Sequence, residues 1–158
     1  MNKITPFLWF DNNAEGALNL YLSTFKNAKV LDESRYGPGA PMPEGTLFTA
    51  TIQLEGQNIM LMNAGPHYKL NEAFSLFVDC QSQAEVDTLW EKLTADGGEP
   101  GRCGWLKDKF GVSWQIIPSE MNQMMGDKDP QKAGRAMQAM FTMSKIDLAA
   151  MRKAFEGK

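Results

Sequence analysis

Arg102-Cys103-Gly104-Trp105-Leu106-Lys107-Asp108-Lys109-Phe110-Gly111-Val112-Ser113-Trp114-Gln115-Ile116-Ile117-Pro118 holds two short apolar runs, 103–106 and 112–117, joined by a charged turn at 107–111. β-Branched and aromatic residues on both sides of a turn containing glycine are a hairpin signal. Successive side chains of a strand leave on opposite faces. Ser113, Gln115 and Ile117 therefore share one face of the second run, and Trp114 and Ile116 share the other. A polar amide is aimed away from the side on which a Trp is expected to be buried. Its surroundings decide what it is for.

Working outward, residues 73–80 before this hairpin form a continuous apolar run and read as a strand. Ser82 and Glu85 then make a capping box, and Val86, Leu89, Trp90 and Leu93 define an amphipathic helix that Gly97-Gly98 stops. The same order stands earlier in the chain. Residues 4–10 are a short apolar run with Pro6 near its start, a strand near an edge or end. Asn12 with Glu15 resembles a capping box, and Ala14, Ala17, Leu18, Tyr21, Leu22 and Phe25 follow at helical spacing. Residues 29–36 are a weaker strand and 37–45 a Pro/Gly loop. Residues 46–54 alternate, with Phe48, Ala50, Ile52 and Leu54 on one face, and pair back through the Glu55-Gly56 turn with 57–63.

Leu8-Trp9-Phe10-Asp11 ahead of Ala14-Glu15 is thus echoed by Leu76-Phe77-Val78-Asp79 ahead of Ala84-Glu85. The chain reads as strand, helix, three strands, twice over. A sheet of this kind has a helix on one face and leaves the other uncovered until a second copy closes against it. The expected fold is therefore α+β: two βαβββ modules, 1–65 and 73–118, leaning together as an open curved barrel with a cleft inside. Residues 119–158 are a helical extension. In it, Asp129-Pro130 starts a helix carrying Ala133, Met137, Met140 and Phe141, and Ser144 with Asp147 starts another carrying Leu148, Met151 and Phe155. The seven methionines Met121, Met124, Met125, Met137, Met140, Met143 and Met151 read as packing against the barrel or a second subunit, or as an adaptable groove.

Composition bounds the function. The 158 residues are 43% apolar and 22% charged with a formal charge of −3, ordinary for one globular domain. That charge gives no basic face for nucleic acid. No apolar run approaches the roughly 18 residues of a membrane span. Met1-Asn2-Lys3 passes straight into a strand-like run without a charged-then-apolar leader, so a cytoplasmic protein is expected. Cys80 and Cys103 lack metal-type spacing and are expected to be reduced. The loop at 37–45 is no phosphate loop, because it lacks a Lys-Ser/Thr ending and opens no helix.

The chain resembles the vicinal oxygen chelate superfamily of glyoxalases, ring-cleaving dioxygenases and fosfomycin-resistance enzymes. Within it, it resembles the PhnB-type branch, the 3-demethylubiquinone-9 3-methyltransferase domain. The matching stretches are Ile4-Thr5-Pro6-Phe7-Leu8-Trp9-Phe10-Asp11 with the Ala14-Glu15 helix, Gly65-Pro66-His67-Tyr68-Lys69-Leu70-Asn71-Glu72-Ala73, residues 103–116, and Lys145-Ile146-Asp147. The resemblance implies a site inside the barrel, where metal-bearing members use a few His, Glu or Gln side chains around a divalent ion with open positions for a chelating substrate. It places the last-strand Glu of those members at Gln115. A neutral amide is a poor ligand for a hard divalent ion, and the first strand offers only Pro6, Phe7, Leu8 and Trp9. No metal or other cofactor is expected, and no catalytic residue is assigned.

The ligand-cleft candidates are Gln115, His67, Trp105, Trp9 and Asn63. Gln115 either faces the cleft or satisfies a buried backbone group. His67, the only histidine, either reaches the cleft mouth to bind a ligand or move a proton, or bonds a neighbouring carbonyl in its loop. Trp105 and Trp9 either line the cavity or belong to the core, and Asn63 ends the fourth strand. The implied function is a small-molecule-binding barrel with an unknown ligand, either an enzyme working without a tightly held metal or no enzyme at all. The alternatives are a metal-dependent lyase, dioxygenase or resistance enzyme, a non-catalytic scaffold, and the methyl transfer of the family label. Methyl transfer calls for a Gly-rich strand-to-helix turn in a parallel sheet, and the sequence has none. A homodimer is expected, since relatives in this superfamily pair modules across chains.

Overall fold

The computed structural model describes residues 3–158. Met1 and Asn2, which the sequence reading runs directly into the first strand, lie outside the described residues. The chain divides into two compact units, with the boundary between Leu70 and Asn71.

The first unit is β1 (Phe7–Phe10), α1 (Ala14–Thr24), β2 (Ala28–Arg35), β3 (Leu47–Leu54) and β4 (Gln57–Asn63). Its sheet order is β1-β4-β3-β2, with β1 parallel to β4 and the other pairs antiparallel. Alternate residues Leu8, Phe10, Ala50, Ile52, Ile59 and Leu61 are buried, as are Ala14, Ala17, Leu18 and Tyr21 of α1. Burying a side chain of leucine size contributes roughly 1.5–3 kcal/mol, so this one helix-covered face supplies most of the unit's cohesion. Phe7, Trp9, Met60 and Met62 occupy the far face, because Phe7 pairs with Met60 and Trp9 with Met62.

The second unit begins with β5 (Ser75–Cys80), α2 (Gln83–Thr94), β6 (Glu99–Pro100), β7 (Trp105–Lys107) and β8 (Ser113–Pro118). Its sheet order is β5-β8-β7-β6, the order of the first unit with each strand replaced by its counterpart. β5 runs parallel to β8, as β1 does to β4. The repeat read from the sequence is therefore a repeat of topology, and the class is α+β with two four-stranded mixed sheets, neither closed on itself. Trp114, Ile116, Leu106 and Cys80 are buried on the side that meets Val86, Leu89 and Leu93 of α2.

The extension is helical, as expected: α3 (Ser119–Met125), α4 (Pro130–Phe141) and α5 (Leu148–Glu156). Asp129 caps α4 by accepting from Gln131 N, and Asp147 caps α5 by accepting from Ala150 N. Met121, Met124 and Met151 pack with Ile117, Ala136, Ile146 and Leu148 into one cluster, so those methionines serve packing. Met137 and Phe141 do not join it and are exposed. Ala136, not its larger neighbours, is the α4 residue fully buried there.

Two local expectations need correcting. The first strand starts at Phe7, and Ile4 is 86% exposed. Asn12 and Glu15 form no capping box: α1 follows Asn13, whose side chain makes no cap bond, and the Ala14 N–H is capped by Asn63 Oδ1 at 2.9 Å. The charged turn at 107–111 forms as expected, and one of its charges is buried. Asp108 is 2% exposed, and its Oδ1 accepts from Phe110 N at 2.9 Å and Val112 N at 3.1 Å, while Oδ2 accepts from Trp114 Nε1 at 2.9 Å. Among the described residues no helix is long and apolar enough to cross a membrane.

Candidate functional site

Strand register decides which side chains meet on the face of the second sheet that points away from α2. Gln115 lies opposite Phe77 on β5 and Trp105 on β7, and Ser113 lies opposite Ser75 and Lys107. The Gln115 Nε2 donates to Ser75 Oγ at 2.9 Å. Ser113 Oγ is buried and is the one such side-chain oxygen or nitrogen without a partner among the described residues. Trp105 is half-buried beside Gln115, and Phe77 is 52% exposed. At the margin Lys107 and Glu72 form an ion pair that holds the Glu72 carboxyl below its usual range and the Lys107 ammonium above its own. The face is thus a small polar set, two hydroxyls and an amide, between two aromatic side chains. Ile117, two residues beyond Gln115 on the same side, is covered by the helical extension, which ends the face there.

The first unit gathers a different set. Trp9 Nε1 donates to Gly65 O at 2.9 Å, and the Trp9 ring stands edge-on to Tyr68 with centroids 5.0 Å apart. Tyr68 in turn meets His67 edge-on at 4.6 Å. His67 is exposed in its loop, and Tyr68 is 61% exposed. Asn63 belongs to neither set. It is fully buried, and besides capping Ala14 it donates from Nδ2 to Leu47 O at 3.0 Å. Its carbonyl oxygen accepts from Tyr36 Oη at 2.7 Å. Asn63 is a structural tie between α1, β3 and β4.

The Pro/Gly loop is held at its base by Arg35, which donates to Gly45 O at 3.0 Å and to Glu15 Oε1 at 2.7 Å. Its tip, with Pro41, Met42 and Pro43, borders a cavity of about 590 Å³ shared with Asp11, Tyr36 and Gly65. None of the five candidates from the sequence lines it.

The strand register sets two of the sequence candidates, Gln115 and Trp105, side by side, and brings in Ser75 and Ser113, which the sequence reading did not name as candidates. The signal for both was present: Ser113 shares the parity of Gln115, and the repeat itself implies that β5 lies beside β8.

A divalent ion does not fit these residues. Around the candidate set the strand positions turned away from the helices are Phe7, Trp9, Met60 and Met62 in one sheet and Ser75, Phe77, Ser113 and Gln115 in the other, none of them a carboxylate or imidazole; the carboxylates on these faces, Asp32, Asp79 and Glu99, stand on separate strands, and Asp79 is taken up by the Ser119 hydroxyl at 2.6 Å. Among the described residues no three His, Cys, Asp or Glu side chains gather into a group able to hold a metal. Hard divalent ions need such oxygen or nitrogen donors.

The two thiols are free. Burial pushes the Cys80 thiol up to about 12, with the Glu85 and Asp79 charges adding to the shift. The thiolate is the nucleophile, so native protein at pH 8 is expected to leave Cys80 unlabelled by iodoacetamide, and denatured protein to label it; peptide mapping by mass spectrometry reads both. Because the folded value lies above the unfolded one, this group's contribution is full below pH 9 and is lost as pH rises toward 12.

The sequence profile of the family described as 3-demethylubiquinone-9 3-methyltransferase matches residues 2–117. Lys145-Ile146-Asp147 falls outside that match. The structure of the PhnB protein from Bacillus cereus is 36% identical, with a TM-score of 0.66 over 75% of this chain and 100% of that one. Protein YjdN of Escherichia coli is 26% identical over 137 residues, 72% of this chain and 92% of its own length. A fosfomycin resistance protein from Listeria monocytogenes, complexed with Mn(II) and 1S,2S-dihydroxypropylphosphonic acid, shares the fold. It is 15% identical, with a TM-score of 0.52, covering 78% of this chain and 98% of that one.

Proposed function

The chain belongs to the 3-demethylubiquinone-9 3-methyltransferase family, and on that premise we propose that it binds a small, uncharged organic molecule on the far face of its second sheet, without a tightly held metal. The observation that carries this reading is the Gln115–Ser75 hydrogen bond beside the unpartnered Ser113 Oγ, flanked by Trp105 and Phe77. Sites for small organic ligands are mostly apolar with a few convergent polar groups. A buried hydroxyl without a partner carries a penalty that a ligand acceptor removes.

The Mn(II) and phosphonate of the Listeria relative are not carried over to this chain, because the candidate set offers an ion only amide, hydroxyl and aromatic groups. Methyl transfer, which the family's name suggests, is not favoured either. α1 and α2 follow Asp11-Asn12-Asn13 and Gln81-Ser82 rather than a Gly-rich turn, and both sheets are mixed rather than parallel.

The test is a thermal-shift screen with divalent metals, thiols and quinone analogues, since a ligand that binds the native state raises stability by mass action. An uncharged aromatic compound is expected to stabilise the protein, and Gln115→Ala to weaken its apparent affinity about tenfold, on the order of 1.4 kcal/mol for lost hydrogen bonds. Stabilisation by a divalent metal alone would count against the proposal.

We further propose a cytoplasmic homodimer. The free cysteines suit a reducing compartment. Phe7 and Phe77 are half-exposed on the sheet faces turned away from α1 and α2, as surfaces awaiting a partner are. Sedimentation at micromolar concentration is expected to give the dimer mass; the monomer mass would refute it.

A further inference from the structure

Residues 118–158 lie beyond the family match, yet they are fastened to the loop that delivers Trp105. Arg102 Nη2 donates to Phe141 O at 2.8 Å, Cys103 N to Met143 O at 2.9 Å, and Gly104 N to Ser144 O at 2.8 Å. Ser144 Oγ returns a bond to Gly101 O at 2.5 Å. The loop needs this hold. Cys103 and Gly104 both sit at positive φ, 56° and 83°, and a non-glycine residue is strained there. A Cβ on Gly104 would stand 2.5 Å from Ile117 Cδ1 and 3.2 Å from Ile146 Cγ1, so the extension closes directly over the backbone. The extension is itself anchored: Gln83 on α2 donates to Ile146 O at 2.9 Å and accepts from Leu148 N at 2.8 Å.

We propose that the helical extension is a positioning element: it fixes the 101–104 loop and so sets where Trp105 stands beside Gln115. Arg102 and Ser144 are the positioning residues. Trp105 follows directly on this pair, and its own N–H bonds back to Arg102 O at 3.0 Å, so any slackening of the loop passes to its indole. This rests on the reading of the far face as the ligand site, but its first readout does not depend on any ligand.

The experiment uses the full chain with Arg102→Ala and Ser144→Ala combined. Both side chains are exposed, so the fold is retained. Amide hydrogen exchange at 103–105 is expected to speed up about tenfold, through local opening of the loop, while amides of α5 keep their rates. The 5-fluorotryptophan resonance of Trp105, assigned by Trp105→Phe, is expected to shift or broaden while those of Trp9 and Trp114 stay in place. Unchanged exchange at 103–105 together with an unmoved Trp105 resonance would overturn the proposal. Binding of a screen hit to Gln115→Ala tests the ligand site separately, so failure there leaves the loop result standing.

Discussion

Asp108→Ala is expected to destabilise the protein by about 3–5 kcal/mol, the range for stripping a buried charged acceptor from its partners. The carboxylate holds two backbone N–H groups and the indole N–H of Trp114, the last in the core under α2. Alanine leaves all three donors without it and opens a void where the loop before β8 turns. At about 2–4 °C per kcal/mol for a chain of this size, the midpoint of thermal unfolding should fall by roughly 10 °C. Asp108→Asn separates charge from geometry. Its one remaining oxygen can serve the backbone donors or the indole, but its NH2 must then oppose a donor. Urea unfolding of the two variants is expected to rank wild type above Asn above Ala. Equal stability of all three would mean that the turn is held by other contacts.

Asn63→Leu should be the next most damaging change, at about 2–4 kcal/mol for two buried backbone groups left unsatisfied. It removes the cap on Ala14 N and the donor to Leu47 O together. Asn63→Asp keeps an acceptor at the N-terminus of α1, where negative charge is favoured, but turns an oxygen toward Leu47 O. It is therefore expected to fall between wild type and Leu. The series also separates the two roles open to this residue. A ligand contact would leave unfolding unchanged on substitution; a tie between α1, β3 and β4 will not.

These two residues mark the boundary of what the amino-acid sequence makes legible. Alternation placed Gln115 and Trp114 on opposite faces, and the structure agrees, because strand geometry is local. Asp129 and Asp147 cap helices that start at the next residue, so their roles too could be read in place. The repeat was legible because each module repeats the same element order with the same edge. Asn63 was not legible as a cap, since its partner is 49 residues earlier and a side-chain-to-backbone bond across that distance leaves no periodic trace. Asp108 looked like one charge in a charged turn. Only the register that buries Trp114 beside it reveals why a carboxylate is needed. His67 and Trp9 come together through Tyr68, a ring that spacing alone did not single out.

The same limit applies to the site. Parity brought forward Gln115, but Ser75 enters through parallel pairing of β5 with β8, a contact between strands some 40 residues apart. What makes the face a candidate is the combination of these groups, and the combination exists only once the strands are paired.

The most direct measurement is an NMR titration of metal-free protein with the uncharged aromatic compound that scores in the thermal screen, following the Gln115 side-chain amide and the Trp105 indole. Saturable shifts at those two signals and at Ser75, with Gln115→Ala needing about tenfold more compound for the same shifts at Trp105 and Ser75, are the expected result. A titration that moves neither signal, or moves them only after a divalent ion is added, would contradict a metal-free binding face on the second sheet.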